Sequence, residues 1–191
     1  MHIEMSEVDE LYGLSGEQLG RVRVLNRLLI SYNDFKQTHE ISGLLLEGDL
    51  YEKYPRENRH LTIALNMAAV VAYSRPFVKN RGELAHNRLP SGVLRILTER
   101  EREIHDIVLE DRHRMMAHSD ADANGSIPLV METGNSKILV PKNANAYETL
   151  LLPEAMSVLH AMAYKLQERC FELREEMLPE LIDILPRATS V

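Results

Sequence analysis

From residue 15 onward, apolar positions recur at helical intervals between short polar breaks, and these stripes predict the elements. Ser15 and Gln18 in "SGEQ" have the spacing of a capping box, in which the serine hydroxyl accepts an otherwise unpaired backbone N–H. Val22, Leu25, Leu29 and Tyr32 follow at helical spacing and predict one buried stripe. "ISGLLL" (41–46) is apolar, but Gly43 interrupts it and Gly48 follows it, so its type stays open. Residues 58–74 read as a largely buried helix ended by Pro76, which has no N–H to continue it. Residues 76–97, with Gly82, Pro90 and Gly92, are expected to form a long loop holding at most a short turn.

"TERE" (98–101) is a second capping box, and the helix it starts is expected to run to about His118. "IPLVME" and "KILVP", separated by "TGNS", read as a β-hairpin over about 127–141. The last long helix is expected to start near Pro153 and reach about Met177, with Pro179 and Pro186 marking its exit. Together these elements predict an all-α fold: a single domain over 1–191, a bundle of four or five helices with one inserted hairpin.

Composition narrows the function classes. Apolar content of 45% and charged content of 27% are those of an ordinary globular chain. The longest apolar run, "LTIALNMAAVVAY" (61–73), is too short to span a bilayer, so no membrane partner is expected. A single cysteine, Cys170, suits a reducing compartment, and no signal peptide opens the chain; the expected location is cytoplasmic. A net charge of -7 argues against non-specific coating of nucleic acid. The charge is uneven, however. Arg75, Lys79, Arg81, Arg88 and Arg95 face only Glu83 within 75–95, whereas 148–180 is rich in glutamate. A basic segment on an acidic body can guide an anion to one place, although a solvated loop is the plainer explanation.

The chemistry concentrates in "DRHRMMAHSDADANG" (111–125). At about 100° per residue, Ile104, Ile107, Val108 and Met115 fall within one arc of the helix. Asp111 and His118 lie inside that arc and Arg112 on its shoulder, while Glu110, His113 and Arg114 point elsewhere. Ionisable groups on an apolar face are rarely buried unless paired or functional. Asp111 and His118 can simply satisfy one another. Alternatively the face abuts a cleft, where histidine moves protons and an arginine fork grips phosphate.

The string "RHRMMAH" (112–118) resembles the signature of HEPN domains, an arginine and a polar residue followed a few positions later by histidine. Arg112, His113 and His118 match it, and "AHSD" (117–120) resembles the tail of many bacterial members. Arg81–His86 and Arg100–His105 also satisfy the bare spacing, but only 112–118 closes a predicted helix and carries a polar second residue. The resemblance implies a helical homodimer whose two motif copies face one cleft. In active members that cleft cleaves RNA without metal, by attack of a 2′-OH on the adjacent phosphate. On that pattern Arg112, His113 and His118 are the catalytic candidates, and the setting is a toxin with an antitoxin partner or a phage-defence component. The alternative is a non-catalytic module of the same fold that binds RNA, a nucleotide or a partner protein.

Rival chemistries are weaker. "DADANG" (120–125) matches the first half of a calcium loop, but position twelve is Met131 where a bidentate acid is needed. His105, Asp106, Glu110, His113 and His118 supply no i,i+4 histidine pair, so no metal and no cofactor are expected. No GxSxG and no Gly-rich phosphate loop is present.

Overall fold

The computed structural model describes residues 13–48, 50–52, 59–79, 86, 88–116, 126–134, 136–143 and 151–185. Among them run α1 (Gly16–Glu47), α2 (Arg59–Ser74), a 3₁₀ turn (Arg75–Phe77), α3 (Ser91–Leu94), α4 (Glu99–Met116), β1 (Ser126–Thr133), β2 (Ser136–Asn143) and α5 (Pro153–Leu181). The architecture is the expected all-α bundle with one inserted β-hairpin. No helix among the described residues is long and apolar enough to cross a membrane.

The Ser15 hydroxyl accepts from the Gln18 N–H at 3.3 Å and the Gln18 side chain accepts from the Ser15 N–H at 2.9 Å, so the first capping box forms as read. The helix it opens is longer than its first stripe suggests, because α1 continues straight through "ISGLLL" to Glu47. Its buried face also turns. Val22 and Leu25 pack with Leu181 at the end of α5, whereas from Leu28 onward the helix faces the main core through Leu28, Phe35 and Leu45. Leu29 is therefore 39% exposed, and the single stripe expected through Leu29 and Tyr32 gives way to two faces with different neighbours. Beside the apolar face lies a buried polar one: Arg27, Ser31, Asp34, Thr38 and Ser42.

Residues 59–74 form the expected buried helix. After it, Pro76 is buried and the chain makes one 3₁₀ turn. Carbonyls at such an end run short of backbone N–H donors, although that of Arg75 accepts from the Val78 N–H at 3.3 Å. The Arg27 Nη2 group supplies the donors, reaching the carbonyls of Arg75 (3.1 Å), Pro76 (2.5 Å) and Val78 (3.0 Å). The expected loop over 76–97 is partly docked, since Leu89, Val93 and Leu97 around α3 enter the core.

The second capping box also forms. The Thr98 hydroxyl accepts from Glu101 N–H at 3.3 Å, and Glu101 accepts from Thr98 N–H at 2.6 Å. The Glu101 carboxylate meets Lys165 of α5 at 2.9 Å. Partial burial opposes its charge, but the bonds to Thr98 and Lys165 outweigh this and lower its pKa.

The hairpin pairs Leu129 with Val140, Val130 with Leu139 and Met131 with Ile138, and turns at Gly134, whose φ of 57° suits glycine. The chain returns at Leu151, where the Asn66 side chain brackets the backbone by accepting from its N–H (3.3 Å) and donating to its carbonyl (3.2 Å). Tyr51 donates to that carbonyl at 2.9 Å, and burial raises its phenol pKa to about 12. Pro153 then opens α5 without a side-chain cap, its missing N–H leaving one fewer donor unsatisfied. The helix outlasts its expected end near Met177. It passes through Pro179 to Leu181, whose burial against Val22 and Leu25 offsets the bond that proline removes.

Candidate functional site

The three Arg–His pairs of the sequence have different fates. Arg100 sits on the exposed first turns of α4 and pairs with Glu103 at 2.8 Å. His105 turns inward and is 9% exposed, with its Nδ1 2.8 Å from the Tyr73 hydroxyl and its ring edge-on to Phe77 at 4.6 Å. Burial lowers the His105 pKa and raises that of Tyr73 well above the phenol value. That histidine is a core residue. Arg81 lies outside the described residues, and His86 Nδ1 contacts the Arg88 carbonyl at 2.7 Å.

Of the third pair and its neighbour, Arg112 and His113 lie on the last turns of α4. His113 is exposed and Arg112 half-buried, seven residues beyond the His105–Tyr73 contact and so about 10 Å further along the axis. The arc expected to be apolar divides in two. Ile104 and Val108 are fully buried, while Ile107 is 43% exposed and Asp111 half-buried. The helix thus packs by one edge of its apolar arc and presents the other. His118, and with it the remainder of the motif, lies outside the described residues, as does the calcium-like string 120–125. A guanidinium beside an imidazole on adjacent helical positions can together donate hydrogen bonds to an anionic oxygen.

Among the described residues no group of three His, Cys, Asp or Glu side chains converges as a metal site. His105, which belonged to the metal candidates, is committed to Tyr73 instead. Cys170 is buried in α5, and burial pushes its thiol up to about 12, which removes it as a nucleophile.

Two polar clusters escape a reading based on apolar period. His39 of α1 and His160 of α5 stack with ring centroids 3.9 Å apart. Their Nδ1 atoms lie 3.1 and 3.0 Å from each other's backbone carbonyls, and Ser42 Oγ stands 3.0 Å from His160 Nδ1. Arg27, Asp34 and Arg75 form the second, around the end of α2. The available signal for this one was the spacing of Arg27, Ser31, Asp34, Thr38 and Ser42, which puts five polar side chains on one helical face. No family model matches the chain, and comparison with curated proteins and with solved structures finds no match either.

Proposed function

We propose that the chain is a HEPN-like, metal-independent endoribonuclease that acts as a two-fold dimer. The observation that supports this most is the contrast between its Arg–His pairs. His105 is consumed by the core, whereas on the last turns of α4 Arg112 is half-buried and His113 exposed, and His118 follows them in the sequence. In this reading His118 serves as general acid and base, and Arg112 stabilises the charge that develops on the phosphorane. His113 orients or supplements them.

The reaction balances without an ion. One copy of His118 takes the proton of a ribose 2′-OH, and that oxygen attacks the adjacent phosphorus. The bond to the 5′-oxygen breaks and the other His118 protonates it, leaving a 2′,3′-cyclic phosphate and a 5′-OH. Arg112 supplies the positive charge a metal would otherwise provide, through two parallel N–H donors.

The test uses purified protein and RNA. His118→Ala is expected to abolish cleavage, and Arg112→Lys to reduce it by at least about tenfold, because an ammonium lacks the planar fork. Cleavage is expected to persist in excess EDTA and to yield cyclic phosphate ends. Undiminished cleavage by His118→Ala, or cleavage that stops on chelation and returns with manganese or zinc, would overturn the assignment.

A further inference from the structure

Between α1 and the segment following α2 lies a cleft of about 240 Å³, lined by Arg27, Ile30, Asp34, Arg75, Val78 and Lys79. Among the described lining residues, three cations against one carboxylate leave two positive charges in excess. The local hydrogen bonds do not neutralise them. Arg27 is 3% exposed, and its Nη2 spends its donors on neutral carbonyls while its Nε is buried with no acceptor. Burial accordingly lowers the Arg27 pKa, although Asp34 opposes the shift. Asp34 is also the carboxylate that serves Arg75, at 3.3 Å.

Arg75 is built to reach an external anion. Its contacts to Asp34 and to Gln37 (2.9 Å) both use Nη1, and its side chain is 52% exposed. Lys79 is exposed beside it, while Ile30 and Val78 give the cleft apolar walls. Size restricts the occupant, because drug-sized and cofactor pockets run to roughly 300–1,000 Å³. A cleft of this volume suits a phosphate and the sugar attached to it better than a whole nucleotide.

We propose that the cleft binds a phosphate monoester, its head held by Arg75 and Lys79 and its sugar against Ile30 and Val78. A monoester carries a charge of about −1.5 to −2 at neutral pH, which matches the excess in the cleft, whereas a diester within a strand carries about half of that. A free 5′-nucleotide and the 5′-phosphorylated end of an RNA strand share this chemistry. Binding here stands apart from catalysis at 112–118.

The test compares matched probes. Adenosine 5′-monophosphate against adenosine is measured by calorimetry, and a short RNA with a 5′-phosphate against its 5′-hydroxyl twin by fluorescence anisotropy. At least one phosphate-bearing probe is expected to bind at least about tenfold more tightly than its twin, through charge-assisted bonds. The nucleotide alone identifies a free ligand, the RNA alone identifies a strand end, and either supports the cleft. Arg75→Gln is expected to abolish the preference. Lys79→Gln, a change at an exposed position, is expected to shrink it several-fold and decides the matter if Arg75→Gln fails to fold. His118→Ala is expected to keep the preference while losing any cleavage. No phosphate preference with either pair, an unchanged preference in both cleft variants, or its loss in His118→Ala would overturn the proposal.

Discussion

Burial holds the pKa of His105 and of His160 below the ordinary imidazole value of 6.5, and His39 adds to the effect at His160. The folded chain therefore binds protons at these sites more weakly than the unfolded chain does. Their contribution to stability is present above pH 6.5 and is lost as pH falls through 6.5 toward the lowered folded values. Asp34 works the other way and in a lower window. Burial raises its pKa against the pull of Arg75, so stability returns as pH drops through that raised value toward 3.8. The urea midpoint is expected to fall between about pH 7.5 and 5.5, and the fall should be smaller in His160→Gln. An identical pH profile in the variant would refute the role of the stacked pair. Tyr73→Phe offers a separate check, because it strips His105 of its buried partner at 2.8 Å and should cost about 1–3 kcal/mol. Neither histidine announces its burial in the sequence. His105 stands next to Asp106 and near Arg102 in a polar run, and only the inward turn of α4 commits it to Tyr73.

Elements were legible where their signals are local. Both capping boxes, the hairpin with its Gly134 turn and the proline start of α5 follow from a few neighbouring residues, and each forms. Extents were less legible, because packing sets them. Gly43 looked like an interruption, yet it is the point where α1 admits His160, as an added Cβ would lie 3.3 Å from His160 Cε1. Pro179 looked like an exit, yet Leu181 beyond it is buried against α1. The two kinds of helical glycine can be separated by experiment. Gly20 has nothing within 4 Å of an added Cβ, so Gly20→Ala should gain about 0.5–1 kcal/mol from helix propensity. Gly43→Ala gains the same propensity but presses on a ring fixed by Ser42 and the His39 backbone, so it should not stabilise. Equal gains in chemical denaturation would show that the α1–α5 contact yields freely. Buried polar residues explain the remaining misreading: hydrophobic period alone cannot show that Arg27, Ser31, Asp34, Thr38 and Ser42 face inward.

At the scale of the whole molecule, the basic segment that begins at Arg75 places Arg75 and Lys79 at one cleft on a chain of net charge -7, a local clustering of charge that the total conceals. The motif at 112–118 was legible as a pattern, but a pattern has no partner, and the proposed chemistry needs two copies of it. One chain contributes a single Arg112–His118 set, whereas the attack and the departure of the 5′-oxygen each need a proton carrier at the same phosphate. On α4, Ile104 and Val108 are spent on the core while Ile107 stays 43% exposed. An isologous contact through that exposed edge would place α4 against its own copy. The chain is therefore expected to sediment as a dimer at micromolar concentration. Ile107→Asp, a substitution at a partly exposed position, should dissociate it by placing two like charges at the two-fold axis while leaving the helical circular dichroism intact. Cleavage should be lost together with the dimer, and mixing His118→Ala with wild-type chains should poison activity in proportion to the mixed dimers formed. A monomeric wild-type protein that cleaves RNA, or full activity in an Ile107→Asp monomer, would eliminate the composite site.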